Sequence, residues 1–216
     1  MPDEQRVLTT ADGRPLEVLT AGPPDGLPLL FHNGTPGGLV AFPPMTASAA
    51  ERGLRTVMYA RPGYGQSTEQ PGRSVADTVA DAASVLDDLG ADQFVTIGWS
   101  GGGPHALACA ALLPGRCLAA TSLAGVAPAR AAGLDWVAGM GPENIEEFGA
   151  AEQGAAALTA YLTREADRLR QVTGEQVADE LGGLVSAVDR DVAHHRGLTC
   201  GAAGDPADAG ARPTAG

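Results

Sequence analysis

One stretch of the sequence, FVTIGWSGGGPHALACAALLPG from Phe94 to Gly115, constrains the fold more than any other. A β-rich run ends directly at Ser100, and a segment of small, helix-compatible residues begins directly after it. Glycines at positions 98, 101 and 102 leave room for a sharp turn between the two elements. The stretch therefore predicts a strand that delivers a serine hydroxyl to the start of a helix at the carboxyl end of a sheet.

Short apolar runs alternate with helical segments through residues 1–130, which is typical of a mostly parallel sheet with flanking helices. The predicted strands are Leu16–Thr20, Leu29–His32, Arg55–Tyr59, Phe94–Gly98 and Leu118–Ala124. The predicted helices are Pro44–Arg52, Gly102–Leu113 and one that starts at a Ser74/Asp77 cap, buries Val75, Val79, Ala82, Leu86 and Leu89, and ends at Gly90. We assign residues 1–130 to an α/β core.

The character of the chain changes after residue 130, where strand-like runs stop. Three helices are predicted there, at Pro142–Glu152, Ala155–Val172 and Glu175–Val188, and we interpret residues 131–196 as a helical cap or lid over the working edge of the sheet. Residues 197–216 are mostly Ala, Gly, Pro and Asp, and they hold too few large apolar side chains to order themselves. We therefore predict a disordered tail.

Charge and composition exclude several classes of function. The net charge is −12 and all 14 basic residues are arginine, so the chain repels a phosphate backbone or an anionic membrane surface, and we expect neither as a partner. The N-terminus has no basic and apolar leader, and no run of about 18 apolar residues occurs. The sequence is that expected of a cytoplasmic protein.

Neither a metal nor a cofactor is indicated by the sequence. Cys109, Cys117 and Cys200 are scattered without CxxC spacing, so we expect reduced thiols, two of them in or near the core, and no zinc site. A dinucleotide would call for G-x-G-x-x-G after an early strand, and no such match occurs there.

A second glycine-rich loop, HNGTPGG, follows the predicted strand that ends at His32. It lies about sixty residues before the serine and, like the serine, at the carboxyl end of a strand. The Gly101 N–H and an N–H of Gly34 or Thr35 are therefore candidates for an oxyanion hole. The flanking residues His32, Asn33 and Trp99 are predicted to line the pocket, although packing is an equally good explanation for the tryptophan.

Three motifs together give the chain its resemblance to the α/β-hydrolase fold family, in the branch of esterases and proline-iminopeptidase-like enzymes. HNGTPG resembles the family's oxyanion loop, RPGYGQS the loop after the next strand, and GWSGGG the nucleophile elbow, over roughly residues 5–195. The resemblance implies a Ser nucleophile, here Ser100, followed along the chain by an acid and a histidine. It also implies that His32 organises the oxyanion loop. Arg61 and Tyr64 in RPGYG are predicted to be structural and to fix a loop near the site.

The general base that a serine nucleophile requires is hard to find among the four histidines. His32 precedes the serine, and His105 lies on the following helix with its ring expected to point away, as a packed residue. His194 and His195 remain the options in chain order. No acid after Ser100 is nominated, because the candidates lie mostly in helical segments of the cap.

The sequence also lacks the last two core strands, on which the family carries the acid and the histidine. We expect a C-terminally truncated protein, with a reading-frame slip near Ala193–Arg196 as the hypothesis for its cause. The strand at Leu118–Ala124 is then a bare parallel edge with exposed apolar side chains, which favours self-association. Without both triad partners, activity falls to the residual level that binding and oxyanion stabilisation support.

Two functions remain in competition at this point. The first is a serine hydrolase that acts on an ester or amide bond of a small molecule through Ser100, probed by an activated-serine reagent. The second is a non-catalytic member of the fold that binds a small hydrophobic ligand or a partner chain. Epoxide-hydrolase and dehalogenase chemistry in this fold uses a carboxylate nucleophile, which the serine at position 100 argues against.

Overall fold

A computed structural model of the chain describes residues 4–39, 41–169, 171, 176 and 186–188. The strands are β1 Glu4–Thr9, β2 Pro15–Ala21, β3 Leu27–His32, β4 Leu54–Tyr59, β5 Phe94–Trp99 and β6 Cys117–Leu123. The helices are α1 Pro43–Ala50, α2 Thr78–Asp88, α3 Gly103–Leu112, α4 Pro142–Gln153 and α5 Ala155–Leu169, and a single 3₁₀ turn occupies Ser100–Gly102.

The six strands form one sheet in the order β1-β2-β4-β3-β5-β6. β1, β2 and β4 pair antiparallel, whereas β4, β3, β5 and β6 are parallel neighbours. Because β3 and β5 are adjacent and parallel, with His32 opposite Gly98, their following loops emerge side by side. The predicted mostly parallel α/β sheet is confirmed, and it brings the HNGTPGG loop to the serine.

Both faces of the sheet are covered by apolar packing. Successive strand residues point to opposite faces, so Val57 belongs to the larger core cluster and Met58 to a second cluster on the other face. The larger cluster contains the buried side of α2 and Cys109 of α3, together with Phe94, which is completely buried. Burial on two faces is what a parallel strand requires, and it explains why these strands are nearly continuous apolar runs.

Two elements differ from the sequence predictions. β1 was not predicted, because Leu8 is its single buried residue and the rest of EQRVLT carries no apolar pattern. α2 begins at Thr78, four residues after the predicted cap: Asp77 Oδ2 accepts hydrogen bonds from Ser74 N at 2.6 Å and Ser74 Oγ at 2.8 Å, which forms a separate turn. Val75 therefore lies 39% exposed instead of on the buried stripe.

β6 is the outer strand of the sheet on the side of β5, and in the described part of the chain nothing pairs with its free edge. Leu118 is 54% exposed and Leu123 is 48% exposed, and most of the remaining side chains of the strand are exposed as well. The predicted edge strand with exposed apolar side chains is confirmed.

The described residues after Trp136 form a compact unit of their own. α4 and α5 are joined at Gly154 and make a helical hairpin, in which Tyr161 donates a hydrogen bond to the carbonyl oxygen of Glu143 at 3.1 Å. The assignment of this unit as a cap stays a prediction, and most of the third predicted helix and all of the tail lie outside the described residues. Among the helices that are described, none has the length and apolar character of a membrane span.

Two buried histidines lie on the sheet face that α2 and α3 cover. The rings of His32 and His105 stack with centroids 6.0 Å apart, and His105 Nδ1 lies 2.9 Å from Thr78 Oγ1. The His32 ring also meets Tyr59 edge-on, with centroids 5.7 Å apart. Burial, with a smaller effect from neighbouring positive charge, lowers the pKa of each histidine to about 3, so both are neutral near pH 7.

The neutral histidine pair predicts acid sensitivity of the fold. An unfolded histidine takes up its proton near pH 6.5, whereas the native ones do so near pH 3, so the unfolded state binds more protons between these values. The free energy of unfolding should then fall by about 1.4 kcal/mol per pH unit for each histidine as the pH drops below 6.5. Urea denaturation at pH 6.5, 6.0, 5.5 and 5.0 measures the slope, because most carboxylates stay ionised over this range.

The matched variant is His105→Asn, whose amide can still reach Thr78 but does not titrate. It should show about half of the slope of the unchanged chain. Equal slopes in the two proteins would contradict the assignment of the acid sensitivity to these histidines.

Candidate active site

Ser100 lies in a strained turn between β5 and α3. Its φ angle is 51°, in the left-handed region that residues other than glycine seldom adopt. Trp99 before it is extended, with φ −106° and ψ 133°, and the helical turn starts at the serine itself. A non-glycine residue held in this conformation costs about 1–3 kcal/mol, which surrounding packing has to offset. The turn is the predicted strand-to-helix elbow, and it carries the hydroxyl at the carboxyl end of the sheet.

Two glycines make the elbow possible through close backbone contacts. A Cβ atom at Gly98 would lie less than 3.0 Å from the carbonyl oxygen of Gly102, and a Cβ atom at Gly102 would lie less than 3.0 Å from that of His32. The first turn after the serine therefore lies directly against the ends of β5 and β3. Any side chain at these positions would push the turn off the sheet.

The HNGTPGG loop lies against the serine. A Cβ atom at Gly34 would be 3.1 Å from Ser100 Cβ and 3.6 Å from Ser100 Oγ, so the Gly34 backbone borders the hydroxyl. A Cβ atom at Gly101 would be 3.4 Å from the backbone nitrogen of Thr35 and 2.8 Å from its Oγ1. The structure thus brings together the four residues that the sequence predicts as nucleophile and oxyanion hole, with α3 beginning directly behind them.

Arg61 fixes the orientation of the loop peptides. Its guanidinium donates hydrogen bonds to the carbonyl oxygen of Asn33 and, at 3.3 Å, to that of Gly34, which also accepts from Gly37 N at 3.0 Å. In a trans peptide the N–H points opposite to the C=O. The N–H groups of Gly34 and Thr35 therefore point away from Arg61.

Arg61 is itself held by a buried anchor. It is 6% exposed and starts the RPGYGQS loop, with its guanidinium 5.0 Å from the centre of the Tyr64 ring. The loop is tied to β2 by Glu17, whose carboxylate accepts hydrogen bonds from Gln66 N at 2.9 Å and Gln5 Nε2 at 2.6 Å. Glu17 is 2% exposed, and sequence analysis missed its role, since a single Glu within the apolar run PLEVLTA is the one available signal.

The three residues predicted to line the pocket occupy different positions. His32 is 3% exposed and packs in the core beneath the loop, which favours the loop-organising role over pocket lining. Asn33 closes the loop by donating from Nδ2 to the carbonyl oxygen of Gly38 at 2.7 Å. Trp99 lies beside the serine and is 54% exposed, and its role in lining a pocket stays a prediction.

No base contacts the serine in the described part of the chain, where Ser100 Oγ has no hydrogen-bond partner. His105 is buried with its Nδ1 at Thr78, as expected of a packed residue, and His32 Nε2 lies 3.8 Å from Cys109 Sγ. The remaining candidates, His194 and His195, lie outside the described residues. The described residues around Ser100 thus include no group placed to accept the serine proton.

Two surface concavities of about 320 and 400 Å³ lie elsewhere on the core. Their walls include Leu27, Arg55, Gln93 and Arg116, which stand at the amino ends of the parallel strands. This is the end of the sheet opposite to Ser100. Ligands of open α/β sheets bind outside the carboxyl ends of the strands, so we place the site at the serine and not in these concavities.

The sheet order and the serine turn define the protein as a doubly covered α/β protein with a strand–turn–helix elbow. A family model described as the alpha/beta hydrolase fold matches residues 28–175, which include both glycine-rich loops and the serine. The chain belongs to the α/β-hydrolase fold family, as its resemblance implied.

Similar proteins agree with this assignment. A non-heme chloroperoxidase of Streptomyces lividans is 33% identical over 147 residues, or 67% of this chain and 53% of that protein. Epoxide hydrolase B of Mycobacterium tuberculosis is 31% identical over 123 residues, or 54% of this chain and 34% of that protein. The crystal structure of epoxide hydrolase A from Mycobacterium thermoresistibile aligns with a TM-score of 0.51 and 23% identity over 56% of this chain and 39% of that one, which supports the fold. The chain thus spans between a third and about half of the curated relatives' length.

The close contacts at the elbow predict that alanine is costly for stability at one glycine and tolerated at another. Gly102→Ala should destabilise the protein by about 3 kcal/mol, because its methyl group meets the carbonyl oxygen of His32, which belongs to the backbone and cannot yield. Gly115→Ala is the matched control, since no atom lies within 4 Å of the added methyl group. Urea denaturation measures both, and equal midpoints would contradict the close-contact explanation.

The hydrogen bonds from Arg61 to the loop carbonyls predict that removing its guanidinium lowers the reactivity of Ser100. Arg61→Met removes both side-chain donors to the loop carbonyls, so the peptides are free to turn and reaction of Ser100 with an activated phosphonate should slow by about tenfold or more. Arg55→Met is the control, because Arg55 also donates to a loop carbonyl, that of Pro24 at 3.2 Å, but at the opposite end of the sheet. An unchanged rate for Arg61→Met, with the fold intact by circular dichroism, would count against this role.

Proposed function

We propose that the chain is a serine hydrolase core that cleaves an ester or amide bond of a small molecule through acylation of Ser100. The observation that carries the proposal is the hydroxyl itself: it is held at φ 51° on the elbow, bordered by the Gly34 backbone. Strain at one non-glycine residue persists where surrounding structure enforces it, and such residues cluster at active sites.

The chemistry follows from the groups around the serine. Ser100 Oγ attacks the carbonyl carbon of the substrate and gives its proton to water or to a base outside the described residues, and the carbonyl electron pair moves onto oxygen. The resulting oxyanion accepts hydrogen bonds from the N–H of Gly101 and of Gly34 or Thr35, next to the N-terminus of α3. The bond to the leaving group then breaks, the leaving group takes up a proton, and water releases the acyl group from the serine.

The serine argues for ester or amide chemistry over the chemistry in the names of the relatives. Epoxide hydrolysis in this fold uses a carboxylate nucleophile. Position 100 instead holds a serine, and neither of its neighbours, Trp99 and Gly101, is acidic. An acyl group bound to serine is the intermediate that this hydroxyl can form.

We propose further that the activity of this chain is low. In the described residues nothing accepts a hydrogen bond from Ser100 Oγ, so its proton passes to water or to a base outside them. Oxyanion stabilisation and binding without a triad still give about 10³ to 10⁴ over the reaction in water. Slow acylation by activated reagents is therefore the form of activity that this site supports best.

The same observation favours a second candidate, a non-catalytic binding protein. A hydroxyl without a base is a poor nucleophile, and the exposed Trp99 beside it offers an apolar surface to a small ligand. This candidate predicts ligand binding at the carboxyl end of the sheet without any covalent product at the serine.

Labelling with an alkyl fluorophosphonate tests the proposal. Ser100 Oγ should displace fluoride from phosphorus, so that the intact protein gains one phosphonyl group on the peptide that contains Ser100. Mass spectrometry of the whole chain and of its digest measures both. Ser100→Ala should abolish the modification, because in the described part of the chain Ser100 is the only hydroxyl residue with a positive φ.

Ser84→Ala is the control for a general effect of removing a hydroxyl, since Ser84 lies on α2 and binds the backbone N of Ala11 at 3.3 Å. It should be labelled at the rate of the unchanged chain. No labelling of Ser100 at millimolar reagent over hours would overturn the serine-hydrolase proposal, and ligand binding by that same protein would then support the second candidate.

A further inference from the structure

The side chain of Thr35 lies against the elbow residue Gly101. A Cβ atom at Gly101 would lie 2.8 Å from Thr35 Oγ1 and 3.6 Å from Thr35 Cβ, so the hydroxyl points at the residue that follows the serine. Among the described residues, no group forms a hydrogen bond with Thr35 Oγ1. A threonine hydroxyl in a loop commonly bonds to its own backbone, and this one does not.

We propose that the Thr35 hydroxyl is a further catalytic donor, which bonds the oxyanion together with the backbone N–H groups of the elbow and the loop. The inference rests on the proposed function, because it concerns the oxyanion formed by acylation of Ser100. It assigns to one residue two donors, its N–H and its O–H, directed at the same oxygen.

The distances allow a shared acceptor. The backbone nitrogen of a residue lies about 2.5 Å from its Cβ position, so Thr35 Oγ1 is within about 5.3 Å of Gly101 N. Two donors that bond one oxygen at about 2.8 Å each, at an angle of about 120°, are about 4.8 Å apart. This spacing lies inside the limit of about 5.3 Å, so the geometry allows the hydroxyl and the Gly101 amide to share one oxygen.

The hydroxyl is also suited to the task. Thr35 is partly exposed at the mouth of the elbow, so a bound oxygen can reach it without displacing the core. Threonine has two heavy atoms on Cβ, which restricts χ1 and keeps Oγ1 near its position. Hydrogen bonds to an ionised acceptor are about twice as strong as neutral ones, so this donor acts mainly when the charge develops.

The test compares two substitutions at one position. Thr35→Val keeps the shape and loses the hydroxyl, whereas Thr35→Ser keeps the hydroxyl and loses the methyl group. With the alkyl fluorophosphonate, Thr35→Val should lower the maximal rate of Ser100 labelling by about 100-fold, the lower end of the cost of removing one oxyanion donor. The concentration of reagent that gives half of the maximal rate should change little. Thr35→Ser should restore the rate to within about threefold.

If Thr35 has a packing role alone, the Thr35→Val protein should be labelled faster than the Thr35→Ser protein. That result, or an unchanged rate for Thr35→Val while the unchanged chain is labelled, would overturn the inference and leave the proposed function standing. If the unchanged chain is not labelled at all, the proposed function fails and this inference fails with it.

If the Thr35→Val protein does not fold, a second measurement on the unchanged chain tests the inference. In a crystal structure of the phosphonylated, otherwise unchanged chain, the phosphoryl oxygen should lie about 2.6–3.0 Å from Thr35 Oγ1. A separation above 3.5 Å, with that oxygen bonded to the two amides, would exclude the hydroxyl as a donor.

Discussion

The close contact of bare backbone at the ends of β3 and β5 is the constraint on which the site depends. Gly98 and Gly102 let the first turn after the serine lie against the carbonyl of His32, and the serine between them has a φ of 51°. The cost of the left-handed serine is about 1–3 kcal/mol, and burial of core residues such as Phe94 on the same strand helps to offset it.

Buried polar contacts support the close backbone contact at the elbow. A buried arginine, Arg61, and a buried carboxylate, Glu17, bond to loop backbone instead of to each other: the arginine holds the carbonyls of the oxyanion loop and the carboxylate holds the N–H of Gln66. A buried charge is costly unless hydrogen bonds satisfy it. Loop conformations that break the bonds to Arg61 or Glu17 are therefore disfavoured, and both loops are restricted to few conformations. The direction of the amides at the serine thus depends on residues far from it in sequence.

Local pattern was sufficient to predict most of the fold. The parallel strands are apolar runs bounded by glycine-rich turns. Burial on two faces requires such runs, so the strands can be recognised from one sequence alone. β1 escaped prediction since Leu8 alone is buried in it, and the start of α2 was misplaced since Ser74 bonds to Asp77 in a turn instead of capping the helix. Both failures occur where a polar surface segment is ordered by contacts that spacing does not encode.

The candidate site was predictable in part for the same reason. Gly34, Thr35, Gly101 and Ser100 lie in glycine-rich motifs whose turns require those residues, so the sequence identifies them. The anchoring role of Glu17 depends on a loop about 49 positions away in the chain, which no local pattern reveals.

The described core separates two tasks that a serine hydrolase combines. The residues that hold the hydroxyl, and those proposed to stabilise the oxyanion, lie within residues 32–37 and 98–103 of the core. Accepting the serine proton needs an imidazole that can reach Oγ, and the two histidines near the elbow are buried, neutral and turned to Thr78 and Cys109. Burial lowers the pKa of both to about 3, so in their present positions they are weak bases near neutral pH. Under the proposed function, the group that accepts the serine proton therefore lies outside the described core.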